Sequence, residues 1–141
     1  MSNYKNLVIL IAEDDDGHAE LIKEALSESG VCNIIQRFAN GQQVWDFLND
    51  NVEKKSDNLA FLILLDINMP RMDGIELLKK LKGDMRFKDI PVIMLTTTDD
   101  PREVEQCYKL GCNAYVTKPV DFSKFATTLH NLGLFIQIVK V

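Results

Sequence analysis

Long hydrophobic segments are missing from this sequence. None of its apolar runs approaches the roughly 20 residues that a membrane-spanning helix needs. The first run, Leu7–Ala12, is also too short for the apolar centre of a signal peptide. We therefore expect a cytoplasmic protein that does not enter a membrane.

Cysteine and histidine are scarce, with three and two residues in a chain of 141. The cysteines, Cys32, Cys107 and Cys112, are odd in number and irregularly spaced, which argues against a disulfide framework. They form no Cys-x-x-Cys pair and lie far from the histidines, so a zinc site is not expected. We interpret them as reduced thiols, two of which pack against the core.

An excess of basic charge is also absent. The formal net charge is -5 and the sequence pI is near 5.0. Nucleic acid is therefore not expected as a direct partner, because phosphate backbones favour clusters of Lys and Arg. The small basic cluster of Lys79, Lys80 and Lys82 is typical of a solvated helix face.

Short apolar segments alternate with helical patterns along the whole chain. The length suits one domain, so we expect residues 1–141 to form a single unit. The alternation predicts an α/β fold, a doubly wound, flavodoxin-like, five-stranded parallel sheet of order 2-1-3-4-5 with five helices. The strands are predicted at Leu7–Ala12, Asn33–Phe38, Phe61–Leu65, Pro91–Leu95 and Ala114–Thr117.

Several helix boundaries carry local signals. Asp73–Glu76 has the capping-box pattern, and Asp100–Glu103 combines a cap, a proline and an acid at a helix start. Gly111 is a helix stop signal. The polar stretch 50–58 is expected to be a loop, and apolar residues between 122 and 132 predict the last helix.

Polar and charged residues that can take part in catalysis or bind a ligand follow four of the predicted strands. In an open α/β sheet, ligands bind beyond the carboxyl ends of the strands, close to the point where the strand order reverses. The predicted order makes the first and third strands neighbours, so acids about fifty positions apart are brought together. The residues at these ends are Glu13, Asp14 and Asp15 after the first strand, Asp66 after the third, Thr96 after the fourth and Lys118 after the fifth.

This set of residues is suited to phosphoryl transfer. Two carboxylates about 4 Å apart repel by about 4 kcal/mol at an effective dielectric constant near 20, so the cluster calls for a cation or a raised pKa. Oxygen ligands without His or Cys favour Mg²⁺. Asp66 can act as the nucleophile that forms an aspartyl-phosphate, while Lys118 and Thr96 offer a cation and a hydroxyl to the phosphoryl oxygens.

Each of these features has an ordinary structural explanation when taken singly. Acids after a strand stabilise a helix N-terminus, and the segment Asp66–Gly74 can be read as a structured turn with a helix cap. Thr96 can be structural, and Lys118-Pro119 is a common surface pair. Their joint position at four strand ends favours the functional interpretation.

The sequence resembles the receiver domain of bacterial two-component response regulators over about Leu7–Leu132. Two further features, the polar loop before the third strand and the apolar C-terminal tail, resemble those of a narrower group. That group is the single-domain regulators that work with phytochrome-type histidine kinases. The motifs that carry the family resemblance are Ala12-Glu13-Asp14-Asp15, Leu65-Asp66-Ile67-Asn68-Met69-Pro70 with Asp73-Gly74, Leu95-Thr96-Thr97, and Tyr115-Val116-Thr117-Lys118-Pro119.

The resemblance implies a role for each matching residue. Asp66 would accept the phosphoryl group, and Lys118 would pair with a phosphoryl oxygen. Thr96 and Tyr115 would be the switch residues that move together after phosphorylation. Pro119 would follow a cis peptide bond, which a residue before proline permits. Magnesium would be held by Asp66 and Asp14 directly, by Glu13 through water and by the backbone carbonyl of Asn68.

The resemblance also implies partners. A sensor histidine kinase, of the phytochrome type, would supply the phosphoryl group, and a downstream effector or a histidine phosphotransfer protein would respond. One departure from the family pattern is Thr97, where a smaller residue is common, and it is expected to slow small phosphodonors. The apolar tail 133–141 packs either on its own core or against a second copy in a homodimer, and we expect no output domain after it.

Four functions are compatible with the fold class to different degrees. A phosphorylation-controlled switch and a phosphorelay intermediate fit equally well, and neither is a turnover enzyme. A haloacid-dehalogenase-type phosphatase fits poorly, because Asn68 stands where that family has its second acid. A flavin-binding module fits poorly too, because the acidic loop after the first strand would repel an anionic cofactor.

Overall fold

The strands and helices of this protein lie close to their predicted positions. The computed structural model describes residues 6–28, 34–51, 59–96 and 100–117, together with Thr127 and Asn131. The strands are β1 (Asn6–Ala12), β2 (Ile34–Phe38), β3 (Leu59–Asp66), β4 (Val92–Thr96) and β5 (Ala114–Thr117). The helices are α1 (Asp16–Glu28), α2 (Gly41–Asn51), α3 (Gly74–Lys82) and α4 (Pro101–Leu110).

The five strands form one parallel sheet of order β2-β1-β3-β4-β5, which confirms the predicted order. The register decides which residues meet at the carboxyl ends. Ala12 pairs with Leu65, so the next residues along the chain, Glu13 after β1 and Asp66 at the end of β3, lie side by side. Asp66 pairs in turn with Leu95, the residue before Thr96.

Both faces of the sheet are buried, which explains why its strands are continuous apolar runs. Successive residues of β1 point to opposite faces, so Leu10 belongs to one apolar cluster while Ile9 and Ile11 belong to the other. Burying one such side chain stabilises the fold by about 1.5–3 kcal/mol. The strands therefore form a rigid base for the loops at their carboxyl ends.

The capping signals are confirmed at both α3 and α4. Asp73 accepts a hydrogen bond from the Glu76 N–H at 2.9 Å, and the reciprocal bond of the capping box is present. The Asp100 side chain accepts from the Arg102 N–H at 2.9 Å. Gly111 ends α4 with a φ of 107°, a left-handed conformation that favours glycine.

Several boundaries differ from the prediction by one or two residues, and the largest differences are at α2 and β3. Helix α2 continues to Asn51, so the polar stretch expected as a loop from residue 50 begins inside the helix. Strand β3 begins at Leu59, two residues early, because it pairs with β1 as far as Asn6. Helix α2 thus runs past its last apolar residue, and β3 takes in two further apolar residues that the prediction left out.

Some predictions fall outside the described residues. The fifth helix is represented there by Thr127 and Asn131, both with helical backbone, so four complete helices are described rather than five. The tail 133–141, Lys118 and the peptide bond before Pro119 lie outside that part of the chain. Cys107 and Cys112 are buried, as predicted for two of the three thiols. Among the described helices, none has the length and apolar content to cross a bilayer.

Candidate functional site

Three carboxylates meet where β1 and β3 end. One oxygen from each of Glu13, Asp14 and Asp66 lies within 4.8 Å of the others, which confirms the predicted meeting of these acids. Asp66 and Glu13 are buried, at 6% and 1% exposure, whereas Asp14 is exposed to solvent. The cluster therefore has an open side through which an ion or a phosphoryl donor can reach Asp66.

Asp15, the third acid after β1, has a different task. Its carboxylate accepts a hydrogen bond from the His18 N–H at 2.9 Å, which is the geometry of a cap at the start of α1. Its own N–H donates to Glu13 Oε2 at 3.2 Å and so helps to orient that side chain. The helix-start explanation of the acidic run thus holds for Asp15, while Glu13 and Asp14 face Asp66.

The loop after β3 holds Asp66 from the other side. The Asn68 N–H donates to Asp66 Oδ1 at 3.3 Å, and the Ile67 N–H donates to the carbonyl of Leu95 at 3.2 Å. Gly74 closes the loop by donating its N–H to the Ile67 carbonyl at 2.9 Å. A side chain at Gly74 would collide with this backbone, since a Cβ there would lie 2.8 Å from Ile67 Cα.

An arginine on β2 fastens the β1–α1 loop, and the sequence patterns did not reveal it. Arg37 Nε donates to the Glu13 carbonyl at 2.9 Å, and Arg37 Nη1 donates to Asp16 Oδ1 at 2.7 Å. The Glu13 N–H also donates to the Phe38 carbonyl at 3.0 Å. Three hydrogen bonds with β2 therefore hold the backbone of Glu13 on one side of Asp14 and the side chain of Asp16 on the other.

Thr96 and Tyr115 lie on β4 and β5, the two strands that follow β3 in the sheet order. Thr96 is fully buried at the end of β4. Tyr115 pairs with Met94, two residues before Thr96, so both side chains project from the same face and share a hydrogen bond. The Tyr115 hydroxyl also donates to Glu103 Oε1 on α4 at 3.0 Å.

The surroundings of Tyr115 favour its protonated form. Burial first, and then the hydrogen bond to Glu103, raise the pKa of Tyr115 above its ordinary value, while the bond with Thr96 acts in the opposite direction. This hydroxyl therefore keeps its proton throughout the physiological range.

The structure gives fewer contacts for the remaining predicted site residues, Asn68 and Lys118. Asn68 is exposed on the loop beside Asp66, where its backbone could face a bound ion. Lys118 comes directly after Thr117, the last residue of β5, in the sequence and lies outside the described residues. The site therefore consists of Glu13, Asp14, Asp66, Asn68, Thr96 and Tyr115 within the described part of the chain.

Most of the chain is similar to known receiver domains. Residues 9–130 match the response regulator receiver domain family. A receiver domain structure from Rhodospirillum rubrum is 43% identical, with a TM-score of 0.88 over 95% of this chain and 96% of that one. The structure of the phosphorylated cyanobacterial phytochrome response regulator RcpA is 30% identical, with a TM-score of 0.84 and the same coverages.

A third relative is the response regulator Rcp1 of a Synechocystis species. It is 35% identical over 111 residues, which cover 79% of this chain and 76% of Rcp1. Its Mn²⁺-bound structure gives a TM-score of 0.82 over 95% of this chain and 96% of that one. The chain belongs to the response regulator receiver domain family of two-component systems, and phytochrome-associated regulators are among its close structural neighbours.

Proposed function

We propose that this protein accepts a phosphoryl group on Asp66 from a histidine of a sensor kinase and acts as a phosphorylation-controlled switch. The observation that carries the proposal is the meeting of Asp66 with Glu13 and Asp14 at the carboxyl ends of β3 and β1. Membership of the receiver family supports the same function. Such a protein takes part in one transfer per signal and is not a turnover enzyme.

The acidic cluster fits a magnesium ion. Its donors are carboxylate oxygens within 4.8 Å of one another, which is the ligand type that Mg²⁺ prefers. In this assignment Asp66 and Asp14 bind the ion directly, Glu13 through water, and Asn68 through its backbone carbonyl. The ion supplies positive charge that offsets the phosphoryl oxygens during transfer. The Mn²⁺-bound form of the similar protein Rcp1 supports the binding of a divalent ion by this chain.

Asp66 performs the chemical step. One of its carboxylate oxygens attacks the phosphorus of a phosphohistidine, a P–O bond forms, the P–N bond breaks, and the imidazole leaves with the electron pair of that bond. We assign Lys118 to a phosphoryl oxygen as a compact cation, and the Thr96 hydroxyl to another as a hydrogen-bond donor. Tyr115 then responds to the movement of Thr96.

The partners follow from the subfamily. The likeness to RcpA and Rcp1 supports a phytochrome-type sensor histidine kinase as the phosphodonor in the cytoplasm. A downstream effector or a histidine phosphotransfer protein is the next partner. We further propose that residues 1–141 act as a single receiver unit, and that the apolar tail 133–141 contributes to a homodimer.

Intact mass spectrometry tests the phosphoryl transfer. With Mg²⁺ and acetyl phosphate, the protein should gain one phosphoryl group of about 80 Da, and the gain should vanish without Mg²⁺ and in Asp66→Asn. The matched control Asp89→Asn removes an exposed carboxylate outside the cluster and should leave the gain intact. A phosphorylated histidine kinase serves as a second donor, because Thr97 is expected to slow small ones. No gain from either donor would contradict the proposal.

Light scattering tests the dimer. The full-length protein should have the mass of two chains, and deletion of residues 134–141 should give one. A monomeric full-length protein at concentrations near 100 times a typical micromolar Kd would contradict the proposed role of the tail.

A further inference from the structure

Helix α4 contacts Tyr115, the partner of Thr96, through the polar side chain of Glu103. Glu103 lies in the first turn of α4 and accepts the hydrogen bond of the Tyr115 hydroxyl at 3.0 Å. The contact is partly buried, so water screens it less than a surface pair. Tyr115 also packs against the apolar cluster that contains Cys107, the one buried residue of α4.

The hydrogen bonds at Tyr115 have a fixed direction. A tyrosine hydroxyl has one proton to donate, and here it goes to Glu103. The bond shared with Thr96 is therefore donated by the Thr96 hydroxyl to the Tyr115 oxygen. A continuous chain of hydrogen bonds thus runs from the end of β4, next to Asp66, to the start of α4.

The backbone of Glu103 is firmly joined to the helix start. Its N–H donates to the Asp100 carbonyl at 3.0 Å, and the Asp100 side chain caps the same turn through Arg102. A displacement of the Glu103 carboxylate therefore acts on the whole first turn rather than on a free side chain. Glu105 differs, because it is exposed and pairs with Lys109 on the same helix at 3.2 Å.

We propose that Glu103 is a positioning residue that couples the Thr96–Tyr115 pair to helix α4. The inference rests on the proposed function at Asp66. When the Thr96 hydroxyl turns to a phosphoryl oxygen, Tyr115 loses this hydrogen-bond donor and keeps its bond to Glu103. The Tyr115–Glu103 bond then carries the rearrangement of Tyr115 into the first turn of α4, and with it to the exposed surface of that helix.

Fluorine NMR tests the resting contact without any phosphodonor. The chain has three tyrosines, Tyr4, Tyr108 and Tyr115, so 3-fluorotyrosine gives three signals, and Tyr115→Phe identifies the one of interest. Glu103→Ala should shift that signal, Glu103→Gln should shift it less because an acceptor oxygen remains, and Glu105→Ala should leave it in place. An unmoved signal in Glu103→Ala would overturn the inference.

Hydrogen exchange tests the coupling. In the wild type, phosphorylation should change amide exchange in residues 101–110 by about tenfold, the size expected for losing a hydrogen bond to a charged group. The Glu103→Ala variant should gain the same phosphoryl mass but lose this exchange response. The Glu105→Ala variant should keep the response. An unchanged response in Glu103→Ala, or an equal loss in Glu105→Ala, would refute the coupling.

These measurements separate the two ideas. A wild-type protein that gains no phosphoryl mass contradicts the proposed function, and the coupling falls with it. A protein that gains the mass normally but keeps its α4 response in Glu103→Ala contradicts the coupling alone.

Discussion

Arg37 is the residue that most affects the placement of the acidic cluster without belonging to it. Its guanidinium holds the carbonyl of Glu13 and the carboxylate of Asp16, on either side of Asp14. The ion pair with Asp16 contributes little to stability, because the Asp16 side chain is 91% exposed. These bonds matter because they hold the backbone next to the proposed metal ligands.

Replacing this arginine should weaken ion binding. We predict that Arg37→Met raises the dissociation constant for Mg²⁺ by about tenfold, the effect typical of residues that orient metal ligands. Titration calorimetry measures the constant, and circular dichroism confirms that the variant is folded. Arg102→Met removes the same charge at an exposed position next to Asp100 and should leave Mg²⁺ binding unchanged. Equal constants for Arg37→Met and the wild type would contradict this assignment.

Asp84 gives a prediction for pH dependence. Hydrogen bonds from the Arg86 side chain, and then from its backbone N–H, lower the pKa of Asp84 from 3.8 to about 2. Because the folded-state pKa lies below the unfolded one, the stabilisation is fully present above about pH 4 and is lost as the pH falls towards 2. The urea midpoints of wild type and Asp84→Asn should therefore differ most at pH 6, differ less at pH 2.5, and meet only below about pH 2.

The matched change for Asp84 is Asp89→Asn, five residues along the chain. It removes the same charge from an exposed side chain, whereas the ion pair of Arg86 is with Asp84. The urea midpoints of wild type and Asp84→Asn could instead differ by the same amount from pH 6 to pH 2.5. That result would show that the arginine contact does not stabilise the fold through the charge of Asp84.

Residues at the site divide into those that sequence patterns predicted and those that they did not. Asp66, Glu13 and Asp14 could be predicted to meet because strand order alone makes their strands neighbours. Arg37 and Glu103 could not, because their contacts depend on side-chain reach between elements 24 and 12 residues apart. No local motif marks such a partner.

At the scale of elements, the start of α3 is packed directly onto the loop that carries Asp66. Gly74 permits this approach because it has no side chain, and its N–H donates to Ile67. The capping box at Asp73 holds the helix in the same position. The Asp73-Gly74 motif thus combines a helix cap with a close backbone contact.

A methyl group at this contact should be costly. We predict that Gly74→Ala lowers the free energy of unfolding by about 2–4 kcal/mol, since the collision is with backbone that cannot turn away. Phosphorylation of Asp66 should slow as well. Gly83→Ala, at the other end of α3, places its Cβ 3.2 Å from the Lys79 carbonyl and should cost less than about 1 kcal/mol. Urea unfolding of both variants checks the contrast, and equal losses would refute it.

Element types were easier to predict than element ends. The apolar runs and the caps at Asp73 and Asp100 gave the strands and helix starts correctly. The end of α2 and the start of β3 were wrong by one or two residues, because α2 continues past its last apolar residue and pairing with β1 adds Leu59 and Ala60 to β3. The sheet as a whole was predictable, since right-handed crossovers leave few alternatives.

At the scale of the molecule, the acidic cluster opposes folding until an ion is bound. Three carboxylates share a space of 4.8 Å, and two of them are buried. Their mutual repulsion is present in the folded state and relaxed in the unfolded chain. The protein therefore retains a destabilising arrangement that its proposed chemistry requires.

This arrangement makes stability depend on magnesium. Without Mg²⁺, Asp14→Asn should raise the free energy of unfolding by about 1 kcal/mol, a value reduced by the exposure of Asp14. In the wild type, Mg²⁺ at 100 times its Kd should add about 2.7 kcal/mol, and Asp14→Asn should lose most of that gain. Thermal unfolding with and without Mg²⁺ measures both effects. Asp46 is an exposed acid on α2, and Asp46→Asn should show neither the stabilisation without Mg²⁺ nor the loss of the Mg²⁺ gain. An equal magnesium response in the wild type and both variants would exclude binding at the cluster.

Six of the ten residues of helix α4 are exposed to solvent. Cys107 is its one buried residue, and Glu103 makes its polar contact with Tyr115. Residues that face solvent, such as Arg102, Glu105 and Lys109, can be replaced with little effect on folding. In evolutionary terms, duplicated copies of such a gene can acquire new signalling partners through α4 while the phosphoacceptor chemistry is inherited unaltered.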